Sequence, residues 1–108
     1  MHITIQHFNG CPHWLTTAER LSRAVEDTGV NADVRLQLVS TPEAAAASGF
    51  RGSPTVLIDG VDPFADPDAP VGLSCRVYAT PAGMAGSPTI EQLTEAITNS
   101  KDQRETPE

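Results

Sequence analysis

The order of hydrophobic periods up to Val39 restricts the fold more than any other feature of the chain. Residues 2–8 alternate, with Ile3, Ile5 and His7 on one face and Thr4, Gln6 and Phe8 on the other. A period of two, rich in Ile and Thr, marks a β-strand. Gly10 interrupts it. Trp14, Ala18, Leu21 and Val25 then recur at helical spacing, and Gly29 closes that stretch as glycine commonly ends a helix. Val34 to Val39 alternate again. Two strands joined through a helix form a right-handed parallel crossover, so the chain is read as α/β.

The helix start is open to two readings. Pro12 suits the first helical position. Thr16-Thr17-Ala18-Glu19 also reads as a capping box, with Thr16 as N-cap and Glu19 three residues on. The earlier start is preferred, because Trp14 continues the apolar stripe.

Further along, Ser40-Thr41-Pro42-Glu43 reads as a cap followed by Ala44 to Ala47, a short helix that ends at Gly49. Val56-Leu57-Ile58 is a third strand, followed by a turn at Asp59-Gly60. Residues 61–72 are dense in Pro, Gly and Asp, the composition of a loop. Leu73 to Tyr78 is a fourth strand, and residues 80–86 form another loop. The last helix is predicted over 88–98, with Ile90, Leu93 and Ile97 inward. Gly-Ser-Pro-Thr occurs at 52–55 and again at 86–89. An apolar run follows the first copy, so Pro54 leads into a strand. A helical period follows the second, which makes Ser87 an N-cap and Pro88 the first helical residue. The expected order is β-α-β-α-β-β-α, a four-stranded mixed sheet whose third and fourth strands form a hairpin. Residues 1–99 make one domain, and the polar residues 100–108 form a disordered tail.

With 108 residues and 5% aromatics, the chain supports one domain whose core is mainly Val, Leu, Ile and Ala. A net charge of −7 argues against nucleic acid, whose phosphates demand clustered Lys and Arg. No run approaches the roughly 20 apolar residues of a membrane span. The first residues show no secretion signal. Two cysteines without such a signal suggest the reducing cytoplasm, where thiols serve chemistry more often than cross-linking.

Cys11 lies where the first strand feeds the first helix, in Asn9-Gly10-Cys11-Pro12-His13-Trp14. The positive end of a helix dipole can lower a thiol pKa from ~8.5 to roughly 3.5–7.5 and so expose a thiolate nucleophile. In a Cys-x-x-Cys motif a second cysteine would stand at position 14, which here is Trp14.

Gly10-Cys11-Pro12-His13 resembles the first half of a thioredoxin-like active site, and Ser53-Pro54-Thr55-Val56 resembles the segment that holds that superfamily's cis-proline. With the element order, the resemblance covers residues 2–98. The strings Gly52 to Gly60 and Gly72 to Tyr78 are also similar to a group of small, mostly actinobacterial thioredoxin-like proteins. Some of these are described as a DF family of (seleno)proteins and some as mercury-resistance proteins. The resemblance implies a thioredoxin-like fold, a cis Ser53–Pro54 bond, and a Pro54 that faces Cys11. It implies monothiol chemistry, because Trp14 cannot resolve a mixed disulfide.

Each candidate has a plainer alternative. Cys11 is a nucleophile or a small packed hydrophobe. His13 supports a Cys11 thiolate or simply faces solvent at the helix start. Trp14 covers the thiol, walls a substrate or packs in the core. Ser53, Pro54 and Thr55 shape a groove for a small thiol or a protein disulfide. Cys75 is a second thiol or a buried structural residue. If strands three and four pair antiparallel, Cys75 begins its strand a sheet-length from Cys11, beyond the roughly 7 Å between Cα atoms that a disulfide spans, unless the 61–74 loop carries it back. Cys11, His7, His13 and Cys75 match no familiar zinc spacing. Asp62, Asp66 and Asp68 match no calcium loop. No cofactor is expected. The reading is a monothiol oxidoreductase acting through Cys11 with an external low-molecular-weight thiol. The alternatives are a non-catalytic binding module or a soft-metal or iron–sulfur ligand protein.

Overall fold

The computed structural model describes residues 1–65, 68 and 71–105. Asp66 of the acidic loop and the tail residues 106–108 lie outside the described residues. Strands β1 (His2–His7), β2 (Asp33–Leu38) and β3 (Thr55–Ile58) form one sheet in the order β2-β1-β3. Helix α1 (Trp14–Thr28) links β1 to β2, and α2 (Pro42–Ser48) follows β2. A separate hairpin, β4 (Tyr78–Thr80) and β5 (Gly83–Ala85), precedes α3 (Ile90–Glu105).

The parallel crossover is found as predicted, with β1 and β2 in register from His2↔Asp33 to His7↔Leu38. β3 runs antiparallel on the other side of β1, from Ile3↔Ile58 to Gln6↔Thr55. This register puts Thr55 beside the C-terminal end of β1, where the chain turns toward Cys11.

The alternation in β1 sends residues to two apolar layers. Ile3 and Ile5, with Val56 and Ile58, pack under Leu21 and Ala24 of α1 and Leu93, Ala96 and Ile97 of α3. Phe8 has the opposite parity and joins Val39, Ala45 and Phe50 beneath α2. Complete burial of an Ile side chain stabilises the fold by about 1.5–3 kcal/mol, so Ile3 and Ile5 anchor the central strand. β2 differs. Val34, Leu36 and Leu38 share the face of Ile3 and Ile5 but remain 42%, 54% and 50% exposed. Helices α1 and α3 cover β1 and β3 and stop short of this edge.

Caps explain the helix ends. α2 is capped within the predicted Ser40–Glu43 string, where the Thr41 side chain accepts the Ala44 N–H at 3.0 Å. Gly29 closes α1 by donating to Val25 O and Glu26 O. At α3 the expectation is corrected. Thr89, not Ser87, is the N-cap. Its hydroxyl accepts the Gln92 N–H at 3.0 Å, while Gln92 Oε1 accepts the Thr89 N–H at 2.9 Å. This reciprocal pair is a capping box. α3 then continues to Glu105, past the predicted end at Thr98; no Gly or Pro interrupts residues 99–105.

The larger departure concerns the predicted fourth strand. The chain does turn after β3, but among the described residues only Ile58 and Val61 pair there. Pro63 has no N–H to extend that ladder. Residues 73–77 form no hairpin with β3; Cys75 instead bridges Ser53 in the parallel sense. β4 begins at Tyr78 and pairs instead with β5, which occupies the predicted 80–86 loop. The result is a three-stranded mixed sheet plus a two-stranded hairpin in place of four continuous strands. Among the described residues, no helix is long and apolar enough to cross a membrane.

Candidate functional site

β1 ends at His7, and a tight turn follows in which the Cys11 N–H donates to Phe8 O at 3.1 Å. Cys11 is only 3% exposed, whereas Pro12 and His13 face solvent. α1 starts between the two predicted points. His13 is its N-cap, without a side-chain capping bond, and Trp14 is its first residue. Pro12 thus stands outside the helix, and Thr16 lies in its first turn. The first helical bond runs from the Thr17 N–H to His13 O. Trp14 packs in neither apolar layer. Its half-buried ring stacks on His7, with centroids 4.5 Å apart. His7 is buried, and its Nδ1 has no hydrogen-bond partner among the described residues.

The two Gly-Ser-Pro-Thr segments border this turn. In the first copy, the Ser53 Oγ accepts the Phe8 N–H at 3.4 Å. The Ser53–Pro54 peptide is cis, as the resemblance implies. Pro54 O accepts the Tyr78 hydroxyl at 2.5 Å. The Thr55 hydroxyl donates to Gly52 O at 2.6 Å. Gly52 has φ +123°, and a Cβ there would lie 3.0 Å from Arg76 Cβ and 3.2 Å from Arg76 backbone atoms. This close approach lets the 74–76 segment run alongside.

In the second copy, Gly86 leaves room for the His13 ring, because a Cβ there would fall 2.3 Å from His13 Cδ2. Ser87 is buried, and its Oγ is 2.7 Å from Thr17 Oγ1. Thr17 Oγ1 also donates to His13 O at 3.1 Å. Arg20 reaches Pro88 O at 3.0 Å. One copy thus holds the strand before Cys11, and the other holds the helix start after it.

Cys75 is exposed, which corrects the buried structural reading. It also lies at the sheet end that the antiparallel pairing argument rules out. Cys75 bridges Ser53 in the parallel sense. Ser53 N–H donates to Ser74 O at 2.8 Å, and Arg76 N–H donates to Ser53 O at 2.9 Å. The loop after β3 carries the segment back to the end of β1. Both Ser53 backbone groups are therefore taken by the protein itself, and Thr55 pairs with Gln6 of β1. An extended peptide cannot pair beside Pro54 unless the 74–76 segment moves. Both cysteines are free thiols.

A polar network beneath this segment was not foreseen from sequence. Arg76 and Asp62 form an ion pair at 2.6 Å, with side chains only 7% and 18% exposed. Arg76 also donates to Thr55 Oγ1 at 3.3 Å and to Phe64 O. Its guanidinium lies 4.8 Å from the centroid of the Tyr78 ring, and Phe64 meets that ring edge-on. Burial pushes the Tyr78 hydroxyl well above its ordinary pKa, against the pull of the Arg76 charge. Asp62 and Cys11 push it further in the same direction. The matching parity of Arg76 and Tyr78 was the available signal, yet it gave no hint of a buried cation. Asp62 stood out only as one of several loop acids.

The residues brought together are Cys11, His13, Ser53, Pro54, Tyr78 and Cys75, all at one end of the sheet. Among the described residues, no three His, Cys, Asp or Glu side chains converge as a metal ion would require. Comparisons with protein-family models, curated proteins and solved structures found no match to this chain.

Proposed function

We propose that this chain is a thioredoxin-like, monothiol thiol–disulfide oxidoreductase of the cytoplasm, with Cys11 as its nucleophile. The observation that carries the reading is the meeting of the Cys11 turn with the Ser53-Pro54-Thr55 loop through the Phe8–Ser53 bond. Tyr78 is bonded to Pro54 O and so braces the proline loop. The Cys11 thiolate attacks one sulfur of a disulfide R–S–S–R′. Cys11–S–S–R forms, and R′–S⁻ leaves. An external low-molecular-weight thiol then attacks the mixed disulfide, takes R into a new disulfide and restores the thiolate. His13 stands next to the reacting turn, and Pro12 and Trp14 border it. The occupied backbone of Ser53 favours a small disulfide over an extended peptide. The acidic surface disfavours nucleic acid.

A second reading has its own support. The 3% exposure of Cys11 and the filled edge at Ser53 also suit a binding module that no longer catalyses. One experiment separates them. Cys75→Ser protein is incubated with bis(2-hydroxyethyl) disulfide and examined by intact and peptide mass spectrometry. Catalysis requires a mixed disulfide on Cys11, its release by a small thiol, and loss of both in Cys11→Ser. A folded Cys75→Ser protein whose Cys11 stays unmodified refutes the oxidoreductase reading and leaves the binding module.

A further inference from the structure

We propose that the outer edge of β2 pairs with β2 of a second copy of this chain and joins the two three-stranded sheets into one. Among the described residues no strand pairs with that side of β2, since the sheet order is β2-β1-β3. All six residues of the strand are exposed, so no helix overhangs the edge and a second chain can reach it. Edge strands are commonly guarded by Lys, by Pro, by a bulge or by short length. β2 has none of these guards. Its residues Asp33 to Leu38 match His2 to His7 one for one, and none of them is Lys or Pro.

Backbone direction and side-chain character coincide on this edge. The N–H groups of Asp33 and Val39 donate inward, to Met1 O at 2.9 Å and His7 O at 2.7 Å. Successive residues of a strand turn their N–H and C=O to opposite sides. Val34, Leu36 and Leu38 therefore turn both groups outward. The same three residues carry the uncovered apolar side chains. A strand laid along this edge satisfies the outward backbone and covers the flanks of the exposed apolar row in one step.

The composition of β2 selects a copy of itself as that strand. In an antiparallel ladder between two such strands, outward residues oppose one another. One register alone gives every exposed side chain an apolar partner within β2. It sets Leu36 opposite Leu36, with Val34 opposite Leu38 at both ends, and Arg35 then faces the neutral Gln37. A slip that sets Val34 opposite Leu36 brings two Arg35 side chains face to face, and like charges in that position repel. A further slip matches Asp33 with Arg35 but carries Leu38 past the end of the other strand, and an exposed ion pair contributes little in return. Asp33 and Arg35 already pair within one chain at 2.9 Å. The contact therefore adds no net charge of its own to two chains of −7 each. Each copy offers β2 once, so the ladder closes as a two-fold dimer and does not extend.

The test measures the solution mass of the full chain by sedimentation velocity over a dilution series, for wild type and Leu36→Lys. Leu36 is exposed, so lysine is compatible with folding there, which circular dichroism checks. Wild type is expected to sediment as a dimer that dissociates on dilution, and Leu36→Lys as a monomer with an unchanged spectrum. Disulfide trapping in the Cys75→Ser background then reads the register. Leu36→Cys should link two chains through position 36 on mild oxidation, because opposed residues put their Cα atoms about 5.5 Å apart, within disulfide reach. Val34→Cys should not link to itself, since the two copies of that position lie at opposite ends of the ladder. Peptide mass spectrometry identifies the joined residues. A wild type that stays monomeric at every concentration overturns the proposal and leaves the edge to an extended segment of a different protein. A dimer that survives in Leu36→Lys lies on another face and overturns it as well. So does linkage of Val34→Cys in preference to Leu36→Cys.

Discussion

The two Gly-Ser-Pro-Thr segments share their residues and little else. At 52–55 the glycine adopts φ +123° against Arg76, the proline is cis, and the threonine opens β3. At 86–89 the glycine leaves space for the His13 ring, the serine is buried against Thr17, and the threonine caps α3. The first copy is bound to a buried ion pair and to backbone on both sides. The second meets an exposed side chain that can swing away. Four residues set which local bonds are available, and their neighbours decide which ones form. Substitutions in the first copy should therefore cost stability. In the second, a substitution at Gly86, unlike one at the buried Ser87 or the capping Thr89, should alter the Cys11–His13 turn at little cost to the fold.

The largest expected effect strikes the support of the first copy. Asp62→Ala leaves Arg76 buried without its carboxylate, and removal of one partner of a buried pair costs about 3–5 kcal/mol. Chemical denaturation should show this as a fall in midpoint at unchanged slope. A loss below 1 kcal/mol would mean that water reaches the guanidinium and that the first copy is not rigidly held.

Gly52→Ala comes next. A side chain at positive φ costs about 1–3 kcal/mol, and here the new methyl also presses on Arg76 backbone. The bridge between Ser53 and Cys75 should loosen at the same time. Amide exchange at Ser53 and Arg76 should quicken relative to β1, and unchanged exchange would contradict the close-approach argument.

Tyr78→Phe removes the donor to Pro54 O and should cost about 1–2 kcal/mol. It also carries a pH signature. Burial raises the folded-state pKa of Tyr78 above 10.0. Below pH 10 both states keep the proton, and the stability contribution is complete. As pH rises further, the unfolded chain releases the proton while the folded chain retains it, so stability falls. Urea midpoints from pH 8 to pH 11 should fall less steeply in Tyr78→Phe than in wild type. Parallel curves would place the phenol in contact with water.

Gly86→Ala has the smallest expected effect on stability, within about 1 kcal/mol, because the lowered entropy of the unfolded chain offsets the crowding. It should nevertheless displace the His13 ring and change the rate of Cys11 modification by a small disulfide, measured in the Cys75→Ser background. A rate equal to that of the parent would show that the position of His13 does not matter to Cys11.

Much of the first half was legible because its signals are local. The alternation in 2–8, the stripe through Leu21 and the Gly29 cap involve neighbours a few residues apart. The Thr41 cap and the turn at Gly10 are of the same kind. The start of α1 was less legible. Pro12 and Thr16 each satisfy a capping rule, yet the turn from Phe8 to Cys11 spends the intervening residues, and His13 becomes the cap. At the other end, Ser87 looked like a cap because serine often is one. A buried partner at Thr17 claims its hydroxyl, and Thr89 with Gln92 makes the better cap.

What the amino-acid order determined by itself is the parallel β1-α1-β2 unit, the two capped helices around it, and a thiol at a strand-to-helix junction. Each follows from hydrogen bonds and side-chain periods within one short stretch. Only the tertiary structure decided the partner of residues 73–77, the inward turn of Arg76 and the position of Cys75 beside Ser53. These depend on which of several open backbone edges a distant segment occupies. Here the backbone of residues 74–76 takes up both Ser53 backbone groups, and the buried Asp62–Arg76 pair fastens the segment there.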